Sequence, residues 1–231
     1  MQLPPVRQQG TLLRRYKRFL ADVRLEDGAT LTVHCPNSGS MRGCSEPGSP
    51  VVISRSDNPR RKYAWTLEMV RDNGVWIGVN TAMTNHLVHE ALERGVIDDF
   101  GPVEAVAREV KVSGRSRLDF LVTARGRQTY MEVKNCSLAE EGVALFPDAV
   151  TSRGTRHLEE LARLREEGFG AAVLFCVQRG DADRFRAAAA IDPLYAETLR
   201  RVHARGVAVL AYRAEVEPER ILLTTPLPTL Q

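Results

Sequence analysis

SRLDFLVTARGRQTYMEVKN, residues 116–135, is the stretch that decides the fold. Both of its ends are rich in strand formers, and Ala124-Arg125-Gly126-Arg127 between them reads as a turn. Segments 117–123 and 128–134 are therefore predicted to form a hairpin. Side chains alternate faces along a strand, so Glu132 and Lys134 point one way and Val133 the other. A charged pair on one face in mid-strand is costly unless it is solvated or partnered. The hairpin also sets Asp119 beside Glu132. Adjacent carboxylates repel unless a cation lies between them, and hard oxygen ligands suit Mg²⁺ or Mn²⁺. The competing reading is an ion-pair ladder between strands.

Working outward, a strand at 104–112 and a turn near Gly114 make the hairpin part of a three-stranded meander. Before it, Asn80 and Thr81 cap a helix running through His89 and Ala91 to Gly95. That helix carries Glu90 and Glu93, and His86 and His89 share its face. After the meander, a Gly/Phe/Pro-containing loop (139–150) leads to a second helix, capped by Thr151 or Ser152 and ending near Gly168. Ala171–Val177 is continuously apolar, as in a buried strand. Asp192-Pro193 opens a third helix reaching about Gly206, and Val207–Tyr212 is another buried strand. Residues 81–231 thus read as a mixed sheet with flanking helices, α+β or α/β in class. Arg153, Arg156 and His157 sit near the second helix's start, on roughly one face, where they can meet a phosphate beside the free N–H groups. A charged surface with Glu159 and Glu160 as partners is the plainer reading.

Residues 1–80 read differently. Alternation over 18–25, Leu31 to Val33, Val51 to Ile53, Tyr63 to Met69 and Val75 to Val79 gives five short strands, as in a five-stranded OB-like β-barrel. Two basic clusters, Arg14, Arg15, Lys17, Arg18 and Arg55, Arg60, Arg61, Lys62, are interleaved with Tyr16, Phe19, Tyr63 and Trp65. Cations that track phosphates beside rings that stack on bases suit a single strand; the same aromatics also suit a barrel interior. The PNSGSM loop (Pro36–Met41) either lets backbone N–H groups approach a phosphate or simply turns the chain.

The 231 residues are 43% apolar and 26% charged, which excludes a disordered chain. The net charge is only +3, but residues 1–80 carry +5 and the remainder −2. No signal-like segment or membrane span is read. The four cysteines are dispersed without a CxxC pair, and His34, Cys35 and Cys44 lack a fourth zinc ligand. A cytoplasmic protein without membrane contact is expected.

The D-x12-E-x-K arrangement of Asp119, Glu132 and Lys134 resembles the core of the PD-(D/E)XK nuclease-like fold. That resemblance implies two carboxylates on a divalent metal, a lysine that orients or deprotonates the attacking water, and often a helix carboxylate, here Glu90. Six segments, RYKRFLADV (15–23), HCPNSGSMRGC (34–44), SRLDFLV, MEVKNCSL (131–138), ALFPDAVTSRGTRHLEEL (144–161) and VLAY (209–212), resemble the sugar fermentation stimulation protein A family almost end to end. Asn135-Cys136-Ser137 stands where a Val-Thr-like pair is expected. The resemblance implies an OB-like domain (1–80), a nuclease-like domain (81–231), non-specific DNA binding and a regulatory role in sugar metabolism, particularly maltose.

Three functions follow. A DNA-binding protein acting by occupancy uses Arg14, Arg15, Lys17, Arg18, Arg60, Arg61, Lys62, Arg153 and Arg156. A Mg²⁺- or Mn²⁺-dependent nuclease uses Asp119, Glu132 and Lys134 as catalytic residues and Glu90, Asp119 and Glu132 around the metal. A sugar-sensing or interaction module has no positive sequence support. The partner is single- or double-stranded DNA, with RNA and a second copy of the chain as further candidates.

Overall fold

The computed structural model describes residues 1–112 and 116–230; the turn expected near Gly114 lies outside them. Six strands make the first sheet: β1 (Arg7–Tyr16), β2 (Leu20–Leu25), β3 (Thr30–His34), β4 (Pro50–Arg55), β5 (Trp65–Asp72) and β6 (Val75–Gly78). Their order is β3-β2-β1-β4-β5-β6, and a parallel β3–β5 pairing curls the sheet into the expected OB-like barrel. The interior is Leu12, Val23, Val33, Ile53, Leu67 and Ile77. The strand unread in the sequence is β1. RQQGTLLRRY shows no apolar alternation, and only Leu12 is buried. Backbone pairing to β2 and β4 on its two sides makes it a central strand. Gly10 is needed there, because a Cβ would sit 2.7 Å from the Arg24 carbonyl oxygen.

After a single 3-10 turn (Thr81–Met83), α1 (Thr84–Glu93) begins. Asn80 caps the turn, its side chain accepting from the Ala82 N–H. The meander follows as β7 (Val103–Lys111), β8 (Arg117–Ala124) and β9 (Arg127–Cys136). Next come β10 (Leu138–Glu140), β11 (Val143–Phe146), α2 (Ser152–Glu166), β12 (Gly170–Val177) and β13 (Arg184–Ala187). The chain closes with α3 (Pro193–Ala204), β14 (Ala208–Glu217), β15 (Arg220–Pro226) and β16 (Thr229–Leu230). Thr151 and Asp192 cap α2 and α3 through their side chains.

The main sheet has the order β15-β14-β12-β9-β8-β7. Parallel pairings of β12 with β9 and β14 sit between an antiparallel meander and an antiparallel edge. Leu87, Val88 and Leu92 of α1 pack on Phe120, Val122 and Met131. Leu158, Leu161, Leu199 and Val202 of α2 and α3 pack with Val173, Phe175 and Val177 of β12. Since β-strand residues alternate faces, the two helical layers cover opposite sides of the sheet. The stretch expected as a loop, 139–150, instead holds the end of β10 and all of β11, from a small sheet ordered β10-β11-β13-β16. Strands of two to four residues are too short to carry a readable period. Among the described residues, no helix is long and apolar enough to cross a membrane.

The barrel is fastened to the second half at several points. The Gly78 N–H donates to the Gln178 carbonyl (2.9 Å). Ser40 Oγ donates to Asp148 Oδ2 (3.0 Å), and the Met41 N–H donates to the same oxygen (2.9 Å).

Candidate active site

Strands β8 and β9 pair from Ala124↔Arg127 to Phe120↔Met131. One residue beyond, Asp119 takes the place of a backbone partner. Its Oδ2 accepts from the Val133 N–H (2.7 Å) and its Oδ1 from Asn85 Nδ2 of α1 (2.8 Å). Glu132, 4% exposed, accepts at Oε1 from Lys134 Nζ (2.6 Å) and contacts His157 Nδ1 of α2 through the same oxygen. Its other oxygen, Oε2, is buried without a hydrogen-bond partner. Arg153 Nε lies 3.5 Å from His157 Nε2. The ring therefore accepts at Nε2 and donates at Nδ1, a tautomer assigned from the network.

Burial, then the charge of Glu132, pushes the Asp119 carboxyl up to about 6, against the Val133 N–H, the Asn85 amide and the Lys134 charge. Burial alone would also raise Glu132. The His157 hydrogen bond and the Lys134 charge outweigh it and hold Glu132 below the usual carboxylate value. An ionised acid thus stands beside one that resists ionising, the electrostatic situation a cation relieves.

An open cleft of about 1100 Å³ spreads from these groups. Lys111, Arg117, Arg153 and Arg156 line it together with Glu109, Asp119, Glu132 and His157. Arg117 is paired to Glu109 (3.4 Å); Arg156 has no ion-pair partner among the described residues. Two carboxylates, with the remaining positions left to water and phosphate oxygens, match how Mg²⁺ is usually held. Among the described residues there is no cluster of three or more His, Cys, Asp or Glu placed to hold a metal.

Asp119, Glu132 and Lys134 therefore converge, and Arg153 and Arg156 join them from α2. Glu90 does not. Its carboxylate meets the Met1 α-amino group (2.5 Å) and Arg94 (3.8 Å). On α1 it is Asn85 that faces Asp119; Glu90, five residues on, lies about 140° around the helix. Glu93 pairs with His89. His157, expected at a phosphate, is instead turned onto Glu132. Asn85 carried no sequence signal, whereas His157 shared a helix face with Arg153 and was legible to that extent.

None of the barrel's seven candidate cations lines the cleft. Arg14 is paired to Asp22 (2.8 Å) and lies over the Tyr16 ring. Arg15 donates to the carbonyls of Arg18, Asn37 and Gly39 and so builds the PNSGSM loop. Arg61 binds Thr66 Oγ1 (2.9 Å) and His34 Nδ1 (3.0 Å). Lys62 sits over the Tyr63 ring. Lys17, Arg18 and Arg60 are exposed.

A family model described as "Sugar fermentation stimulation protein RE domain" matches residues 82–220, and one described as "SfsA N-terminal OB domain" matches residues 13–79. The chain belongs to the sugar fermentation stimulation protein family. A homolog from Desulfotalea psychrophila is 56% identical over 205 residues, 89% of this chain and 87% of that one. One from Pelobacter propionicus is 52% identical over 230 residues and covers 100% of both chains. Among sugar fermentation stimulation proteins of known structure, Pyrococcus furiosus SfsA in complex with Ca2+ matches with a TM-score of 0.91 and 25% identity. That match covers 100% of this chain and 98% of the other.

Proposed function

We propose that this chain binds nucleic acid along the α2 cleft and hydrolyses a phosphodiester bond with Mg²⁺ or Mn²⁺ held by Asp119 and Glu132. The observation that supports this most is the buried, partnerless Oε2 of Glu132 beside a carboxyl pushed up to about 6. Two such groups fit a hard divalent cation, and a family relative was solved with Ca2+. A bound cation supplies Lewis-acid polarisation of a phosphoryl oxygen and a more acidic water. The chain's own groups do the rest. Arg153 and Arg156, with the first N–H groups of α2, hold phosphate oxygens. Lys134, released from Glu132, orients the attacking water and offsets charge growing on the phosphate. His157 fixes the rotamer of Glu132.

The experiment is incubation of labelled single- and double-stranded DNA and RNA with Mg²⁺ or Mn²⁺. Cleavage that disappears in both Asp119→Ala and Lys134→Ala is expected. Equal cleavage by the variants would identify a contaminating nuclease and overturn the proposal.

A second reading, DNA binding by occupancy with a regulatory role in sugar (maltose) metabolism, is favoured by the exposed Lys17, Arg18 and Arg60 and by Lys134 closing on Glu132. It predicts salt-sensitive binding with little sequence preference and no cleavage with any metal.

A further inference from the structure

A narrow crevice of about 310 Å³ opens beyond Lys134. Asn37, Ser38 and Gly39 of the barrel line it, and so do Ala149 and Val150 before α2. Thr81, Val133, Lys134 and Asn135 line both this crevice and the recess that holds Asp119 and Glu132, so the two adjoin along β9. The barrel wall is fixed before any ligand arrives. Arg15 Nη2 donates to the carbonyls of Asn37 (2.8 Å) and Gly39 (2.9 Å), and Asn37 Nδ2 donates to the Val79 carbonyl (3.2 Å). Gly39 lies so close to Asp148 that a Cβ would come within 2.8 Å of Oδ2. At the rim Val150 is 77% exposed, an apolar side chain covering nothing.

We propose that this crevice receives one unpaired nucleotide next to the phosphate at the acid pair, which makes single-stranded nucleic acid and unpaired ends the substrate class. The inference rests on the cation-site reading above. The volume is at the lower end of small-ligand pockets, about 300 Å³, room for one nucleotide and none for a duplex. A base inside a duplex reaches such a space only after unpairing and unstacking, whereas a base in a single strand enters without that penalty. Val150 and Ala149 offer the base an apolar surface, and contact that makes no hydrogen bond to a base edge tolerates every sequence.

Fluorescence anisotropy of the full chain in Ca²⁺, with a short labelled single strand and the blunt duplex of the same length, tests this. The single strand is expected to bind about tenfold more tightly, the contribution of one nucleotide's contacts. Ser38→Met and Ala149→Met each narrow the crevice at an exposed lining position. Each is expected to weaken single-strand binding about tenfold while melting temperature and Ca²⁺ affinity by calorimetry stay at wild-type values. Equal wild-type affinity for strand and duplex overturns the inference, as do folded variants that bind the single strand unchanged. A wild type that takes up no Ca²⁺, yet prefers single strands and loses that preference in the variants, overturns the cation reading and leaves the crevice standing.

Discussion

Replacing Asp119 with Asn is expected to stabilise the metal-free protein and abolish its response to metal. The Asp119 carboxyl is raised from 3.8 to about 6. Between those values the folded state holds more protons than the unfolded one, so stability falls as pH rises through the window and the full penalty applies above it. Roughly two units correspond to about 3 kcal/mol at neutral pH, as a ceiling. Asn removes the charge and keeps an oxygen for the Val133 N–H, but its amide nitrogen then faces Asn85, whose side chain must flip to accept from it, and the combined loss is about 1–2 kcal/mol in hydrogen-bond strength. The net gain is about 1–2 kcal/mol, or roughly 2–8 °C in melting temperature for a chain of this size. Thermal melts in EDTA at pH 7.5 measure it; at pH 5, where Asp119 is largely protonated, the gain shrinks. With Mn²⁺ at about a hundred times Kd the wild type gains about 2.7 kcal/mol, and Asp119→Asn gains nothing. A variant less stable than wild type in EDTA, or one that keeps the Mn²⁺ shift, contradicts a desolvated, repelled carboxylate that binds metal.

Glu132→Gln strips the acceptor charge from Lys134, whose side chain is 13% exposed, and is expected to lower unfolding stability in urea by about 3 kcal/mol, the usual effect of breaking a buried pair. On the occupancy reading, Arg60→Gln and Lys17→Gln each reduce the salt dependence of DNA binding by about one counterion, whereas binding along the α2 cleft leaves it unchanged in both. Arg15→Gln leaves the salt slope unchanged and costs about 1–3 kcal/mol of stability through unsatisfied carbonyls, read by thermal melts and binding at several salt concentrations. Gly10→Ala forces a Cβ to within 2.7 Å of the Arg24 carbonyl and is expected to cost about 1–3 kcal/mol by overpacking, measured by chemical denaturation.

The acid pair was legible because a hairpin fixes register from purely local information: a turn, and a period of two on each side of it. The caps Thr151 and Asp192 were legible for the same reason, each satisfying free N–H groups of the residues just after it, whereas Asn80, expected to cap the helix, caps the 3-10 turn and α1 starts from Met83 without a side-chain cap. Strand β1 was not, since its order comes from hydrogen bonds to strands on both sides and its sequence buries only Leu12. Glu90 was misplaced because the phase of α1 against the sheet is set by packing of Leu87, Val88 and Leu92 on the meander, which spacing along the chain does not encode. His157 reaches Glu132 across 25 residues of chain, and Asn85 reaches Asp119 across 34. Arg15 looks like a phosphate ligand in any list of basic residues, and only the fold reveals four carbonyls in its reach.

Anomalous diffraction from a crystal grown with Mn²⁺ tests the acid pair most directly. A peak within about 2.0–2.6 Å of carboxylate oxygens from both Asp119 and Glu132, with Lys134 drawn off Glu132, is the expected result. Density elsewhere, or none while Lys134 and His157 stay closed on Glu132, contradicts metal binding at this hairpin.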